Sequence, residues 1–309
     1  MKSDYFPKFT FNYKNKDFQK VITNMVPGLL GVGLLQFTTL INLRFSSSLH
    51  EGTISYINYV DRLIELPLSL ISVSLGTALL PALSGFVAKG EIAKLSQTTR
   101  QYLELNLLMT MAAAAGLYVL AHPSVQLLFG HGRFSAEDVL ATALILKTYC
   151  WIMIFSSAVR VLTPAYYAVK NTWFPAVVSL VCLLTHLVVA PYMMQNYGVH
   201  GLMISTIISA TLNLTFLLAF FPKLVCAFEY WAFAKNIFVF AVIGILAALA
   251  ANIYFVVSGY LPEGKLFLLA NILFSILSSV VVFLSLGHTL KIKAIREVSS
   301  RVLSRLRIG

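Results

Sequence analysis

Eight apolar segments, each near the ~20 residues needed to cross a bilayer, leave this chain few ways to fold. They run approximately Met25 to Leu49, Ile54 to Val87, Leu105 to Leu120, Ala136 to Val169, Phe174 to Met194, Val199 to Pro222, Asn236 to Val257 and Leu266 to Leu286. A single water-excluded core has no use for so much apolar surface, in a chain 58% hydrophobic and 11% charged. Helices whose outer faces meet lipid can use all of it, because a helix satisfies its backbone polar groups internally. The fold class expected is therefore all-α: a polytopic membrane protein of about eight transmembrane helices.

A net charge of +11 would point a soluble chain toward nucleic acid, but the placement of the charges points to a membrane instead. Of the 23 Lys and Arg residues, seventeen fall on one side of the spans and two, Arg133 and Lys265, on the other. Arg44, Arg62, Lys147 and Arg160 lie within spans. By the positive-inside rule both termini are expected in the cytoplasm, and nucleic acid is not an expected partner. Residues 1–24 carry lysines and no apolar core ahead of a cleavage site, so the first span is expected to stay in the membrane. Phe18, Val21, Ile22 and Met25 recur at helical spacing there, which predicts a cytoplasmic juxtamembrane amphipathic segment. The basic tail, 290–309, has the same pattern, and the anionic headgroups of membrane lipids suit both.

Cys150, Cys182 and Cys226 lack metal-ligand spacing and read as small packing residues. The histidines form no HxxxH or HExxH pair, so neither a metal site nor a cofactor is expected. An enzyme acting on polyprenyl phosphates would need acids or histidines clustered near the aqueous boundary. The external acidic pair, Glu137 and Asp138, reads better as helix N-terminal charge behind Ser135, a candidate N-cap. The chain is therefore read as not an enzyme.

The second span breaks the rule that lipid-facing helices are apolar, since Asp61, Arg62 and Glu65 lie inside it. Charge at that depth is costly and tends to mark function. Arg62 and Glu65 share a helix face, with Tyr59 and Asn58 one turn earlier, while Asp61 points about 100° away. Arg62 and Glu65 could simply pair and pin neighbouring helices. The alternative is a cationic site facing a water-filled cavity, where a guanidinium offers an anion such as phosphate a planar fork of donors. Arg44 in the first span could add a second positive charge. Pro67 removes one intrahelical hydrogen bond and is a candidate hinge or kink.

Three stretches resemble the MurJ/MviN family of lipid II flippases, part of the multidrug/oligosaccharidyl-lipid/polysaccharide exporter superfamily. They are AspArgLeuIleGluLeuPro with SerLeuGlyThrAlaLeuLeuProAlaLeuSer (61–67 and 74–84), LeuPheGlyHisGlyArgPheSer (128–135), and LeuThrProAlaTyrTyrAlaValLysAsnThrTrpPhePro (162–175). The resemblance covers nearly the whole chain but only the later part of the family's architecture, its helices seven to fourteen. It implies a six-helix transporter lobe over 25–222, two C-terminal helices over 223–289 bordering a lipid-tail groove, and no first lobe.

The function implied is movement of lipid II, a lipid-linked peptidoglycan precursor, from the cytoplasmic to the external leaflet of the bacterial inner membrane by alternating access. On that reading Arg62, Glu65, Tyr59, Asn58 and Arg44 line the substrate cavity. The missing first lobe would come from a separate chain, or the sequence is a fragment or one product of a split gene. The alternative within the superfamily is an exporter of polysaccharide-lipid or drugs.

Overall fold

The computed structural model describes residues 37–258 and 264–289, together with Phe18, Gln19, Thr23 and Val26 singly. Most of the amphipathic N-terminal segment, the start of the first span and the basic tail lie outside the described residues. Within them every regular element is helical: α1 (residues 37–46), α2 (Thr53–Leu68), α3 (Ser74–Ala88), α4 (Ile92–Val119), α5 (Ala121–Phe129), α6 (Ala136–Tyr149), α7 (Ile152–Ala168), α8 (Trp173–Leu224), α9 (Tyr230–Ser258) and α10 (Lys265–Thr289). Among the described residues five helical spans are long and apolar enough to cross a membrane, and six if the bent pair α6–α7 counts as one. At 52 residues α8 would be about 78 Å long, more than twice the hydrocarbon thickness. Gly198 divides it: its backbone, at φ 56° and ψ −133°, is not helical, so the chain turns and α8 provides two membrane-length halves. The chain is an all-α, polytopic membrane protein.

From the second onward the expected segments correspond to helices, with three differences of shape. The third begins 13 residues earlier than Leu105, at Ile92, because Lys94, Arg100 and Glu104 continue the helix into the polar boundary, where the apolar pattern gives no signal. The fourth is not one rod but α6 and α7, bent by 47° at Cys150 and Trp151. A short unforeseen helix, α5, sits between the third and fourth spans. Ser135 does cap α6: its Oγ accepts from the Asp138 N–H at 3.2 Å, and Asp138 Oδ2 accepts from the Ser135 N–H at 2.8 Å, a reciprocal capping box.

Side-chain packing divides the interior into two apolar layers along the bundle. One, near the 129–135 loop, gathers Ile57, Val60, Leu63, Ile64 and Leu68 of α2 against Leu146, Met153 and Met203. The other, near the 169–172 turn, gathers Leu79 and Leu83 of α3 against Leu103, Leu162, Tyr166 and Phe221. Ile154 packs against both. Tyr166 anchors the second layer: fully buried, it donates its hydroxyl hydrogen to the Leu217 carbonyl at 2.6 Å and packs against Phe174 and Phe221. It is thus a core residue. α9 and α10 pack on each other, and α9 lies along α4.

Candidate functional site

Between the two layers the α2–α3 rod changes pitch. Pro67 does not end the helix; a π-helical turn, Ser69–Val73, follows two residues later, and the rod continues for 36 residues in all. A π turn widens the backbone and loosens its carbonyl bonding, and serines take up the slack here. Ser69 Oγ donates to the Leu66 carbonyl at 3.0 Å, and Ser74 Oγ reaches the Ser69 carbonyl at 3.4 Å. The helix runs through Pro67 unbroken, and the local unwinding lies at Ser69–Val73. Just beyond it Gly76 lies flat against α7: a Cβ there would meet the Arg160 carbonyl oxygen at 2.9 Å, so only glycine permits this approach.

That approach brings Arg160 to the acid. Its Nη1 and Nη2 donate to Glu65 Oε1 and Oε2, each at 3.3 Å, in a two-pronged pair whose side chains are 33% and 56% exposed. Glu65 thus pairs across to α7 and not along its own helix with Arg62. Arg62 is exposed and makes no ion pair among the described residues. Ser55, Asn58, Arg62, Glu65 and Ser69 are all exposed and fall within about 80° of arc, a polar stripe down the helix, with the half-buried Asp61 outside that arc.

Tyr59 departs from this stripe. Its ring packs at 4.5 Å from Phe129 and 5.4 Å from Phe134, which joins α2 to the 128–135 loop. One turn earlier Tyr56 donates its hydroxyl hydrogen to Asp138 Oδ1. Arg44 is exposed at the end of α1 and reaches only the neighbouring Ser47 Oγ, at 3.4 Å, among the described residues. The structure therefore puts Arg62, Glu65 and Asn58 on one face of α2, brings Arg160 to Glu65, and packs Tyr59 on Phe129 and Phe134 and Arg44 beside Ser47.

The one signal for Arg160 in the sequence is sign: it is one of three intramembrane arginines in a chain with an intramembrane glutamate. Spacing could not join residues 95 positions apart. A 370 Å³ cavity elsewhere, lined by Ser96, Gln97, Arg100, Cys226 and Glu229, holds its own Arg100–Glu229 ion pair. Burial pushes the Cys226 thiol up, and all three cysteines are free and buried, as packing residues would be.

The sequence model of a family described as lipid II flippase MurJ matches residues 1–275. The chain belongs to that family. It is 46% identical over 220 residues to the probable lipid II flippase MurJ of Bdellovibrio bacteriovorus, a match covering 71% of this chain and 42% of that one. To the lipid II flippase MurJ of Burkholderia cenocepacia it is 31% identical over 195 residues, or 63% of this chain and 38% of that protein. The chain thus spans less than half the length of these relatives.

Among solved structures, lipid II flippase MurJ in an inward closed conformation superposes with a TM-score of 0.72 at 22% identity, over 92% of this chain and 57% of that one. The Vibrio cholerae MATE transporter VcmN in its bent form follows at 0.61 and 15% identity, over 92% and 69%. Both likenesses are of fold. Two of the family-like stretches approach each other where Gly76 of 74–84 nears Pro164 of 162–175, and Tyr59, two residues ahead of 61–67, packs on Phe129 and Phe134 of 128–135.

Proposed function

We propose that this chain is one lobe of a lipid II flippase of the bacterial inner membrane and works together with a first lobe that supplies the other wall of the cavity. The observation that carries this reading is the exposed stripe Ser55, Asn58, Arg62, Glu65 and Ser69 on a helix at membrane depth. Lipid would not tolerate it, whereas a water-filled cavity or a polar partner would. Of its charged groups, Glu65 is engaged by Arg160, so Arg62 is the cation free to meet an anion. A pyrophosphate-bearing lipid supplies that anion, and a guanidinium binds phosphate oxygens in pairs. The role is positioning and release, with no bond made or broken, so the chain is a transporter and not an enzyme.

Residues 25–222 form the lobe, and α9 with α10 forms the adjoining pair that borders the lipid-tail groove. The packing of those two helices on each other and on the flank of α4 supports this division. The basic residues support cytoplasmic termini. Pro67 and the π turn after it are the place where the rod can flex as the lobe changes its facing. The reading is tested by growth of a flippase-depleted strain that expresses this chain with a six-helix first lobe. Growth restored by the wild-type pair and lost with Arg62→Ala supports it. Restored growth with Arg62→Ala overturns the role of Arg62, and export of another lipid without lipid II favours the broader superfamily.

A further inference from the structure

His186 is fully buried in the first half of α8, and both of its ring nitrogens have partners on other segments. Nε2 lies 2.8 Å from Asn42 Oδ1 of α1, and Nδ1 lies 3.2 Å from Ser205 Oγ in the second half of α8. One titratable ring therefore joins three segments far apart in sequence, on either side of the Gly198 break.

The hydrogens in this network can be placed. Thr206 Oγ1 donates to the Leu202 carbonyl at 3.0 Å, which leaves its lone pairs to accept from Asn42 Nδ2 at 3.4 Å. That orients the Asn42 amide with its oxygen toward the ring, so Nε2 carries a hydrogen. Ser205 has one hydroxyl hydrogen and two acceptors in reach, Nδ1 and the Leu202 carbonyl, the latter at 2.8 Å. With that hydrogen on Nδ1 the ring is neutral. With it turned to Leu202, a protonated Nδ1 can donate to Ser205 Oγ. A proton enters by rotation of one hydroxyl, with no hydrogen bond lost.

What the site lacks is a counter-charge. The ion pairs among the described residues use Lys94, Arg100 and Arg160 and never His186. Around α8, Asp138 is held by Tyr56 and Ser135, Arg160 by Glu65, and Arg44 reaches Ser47. His200 bonds Thr148, while Glu137 is exposed. Lys147, half-buried, sits over the Tyr118 ring, and Lys223 is exposed at the far end of α8. Among the described residues the ring's partners are Asn42 and Ser205, and neither Asp61, half-buried on α2, nor any other acid is hydrogen-bonded or ion-paired to it. A protonated ring would be a bare charge shut away from water, which the packed arrangement resists.

We infer that His186 is a proton-binding site that gates the contact between α1 and the two halves of α8: the neutral ring closes it as seen here, and protonation opens it until water reaches the imidazolium. The ligand is a proton, and by linkage lower pH favours the open arrangement. The inference rests on this geometry alone and stands apart from the reading of Arg62.

The test uses the full chain in phosphatidylethanolamine/phosphatidylglycerol liposomes, with Cys150, Cys182 and Cys226 changed to alanine. Spin labels replace Leu40 of α1 and Val188 of α8, which are exposed. Their separation is measured at about pH 8 and about pH 5, the range over which histidine titrates. The expected result is a longer separation at the lower pH, and no such change in His186→Gln, whose amide bonds similar partners but takes no proton. An unchanged wild-type separation, or the same lengthening in His186→Gln, overturns the inference. If that variant does not insert, ring ¹⁵N spectra of the wild-type chain decide: one imidazole must gain its second N–H in step with the separation, and the absence of such a ring overturns it equally.

Discussion

Glu65 and Arg160 join across two helices by parallel hydrogen bonds of 3.3 Å, at the level where the two apolar layers of the lobe meet. Their exposures of 56% and 33% make the pair a weak source of stability, worth about 0–1 kcal/mol. Its larger effect is on the charge of the exposed face, which carries Arg62 and Arg160 against one Glu65. Glu65→Gln is expected to move the detergent melting midpoint little while strongly reducing lipid II translocation. A large fall in midpoint with translocation intact would make the pair structural only.

Gly76 allows the backbone of α3 to press on the Arg160 carbonyl. Gly76→Ala forces a methyl group to 2.9 Å from that oxygen, and neither backbone can yield without the helices separating. A loss of about 1–3 kcal/mol is expected, the usual cost of overpacking. Arg160 would shift with α7, so translocation falls too. Thermal unfolding of Gly76→Ala and Gly76→Val, the second worse than the first, checks the steric origin.

Tyr166 separates packing from hydrogen bonding. Tyr166→Phe keeps the stacked contact with Phe174 and the edge-on contact with Phe221 and removes only the bond to the Leu217 carbonyl, for a loss of about 1–2 kcal/mol. Tyr166→Ala opens a cavity in the second layer and costs about 3–5 kcal/mol. Unfolding measurements that found the two variants equal would contradict its place in the core.

Asp138 fastens the 129–135 loop by closing the capping box with Ser135 and accepting the Tyr56 hydroxyl. Asp138→Ala removes both contacts and is expected to cost about 1–2 kcal/mol. Protease cleavage in the loop should speed up as α6 frays at its start. Tyr56→Phe, which keeps the box, should accelerate cleavage less.

Much of the fold was legible because a bilayer imposes one length on every span, and length survives in sequence as uninterrupted apolar residues. Ser135 and Asp138 were legible for a similar reason, since capping acts over three residues. What escaped was long-range or masked by polarity. The start of α4 carries Lys94, Arg100 and Glu104, and the 47° bend at Cys150 and Trp151 has no proline or glycine to mark it. Arg62, Glu65 and Asn58 could be placed on one face by helical geometry alone. The partner of Glu65 could not, because 95 residues and a close approach at Gly76 separate it from Arg160 in sequence. Tyr59 was drawn off the stripe by Phe129 and Phe134, rings that only the folded loop brings near.

The most direct measurement of the central claim is the leaflet position of lipid II. Cells depleted of their own flippase would express this chain with a first lobe, and lipid II reaching the outer leaflet would be quantified by external enzymatic cleavage of its headgroup. The account predicts cleavage with the wild-type pair and its loss, by tenfold or more (on the order of 1.4 kcal/mol or above), with Arg62→Ala at equal membrane abundance. Lipid II reaching the outer leaflet equally well with Arg62→Ala would contradict it.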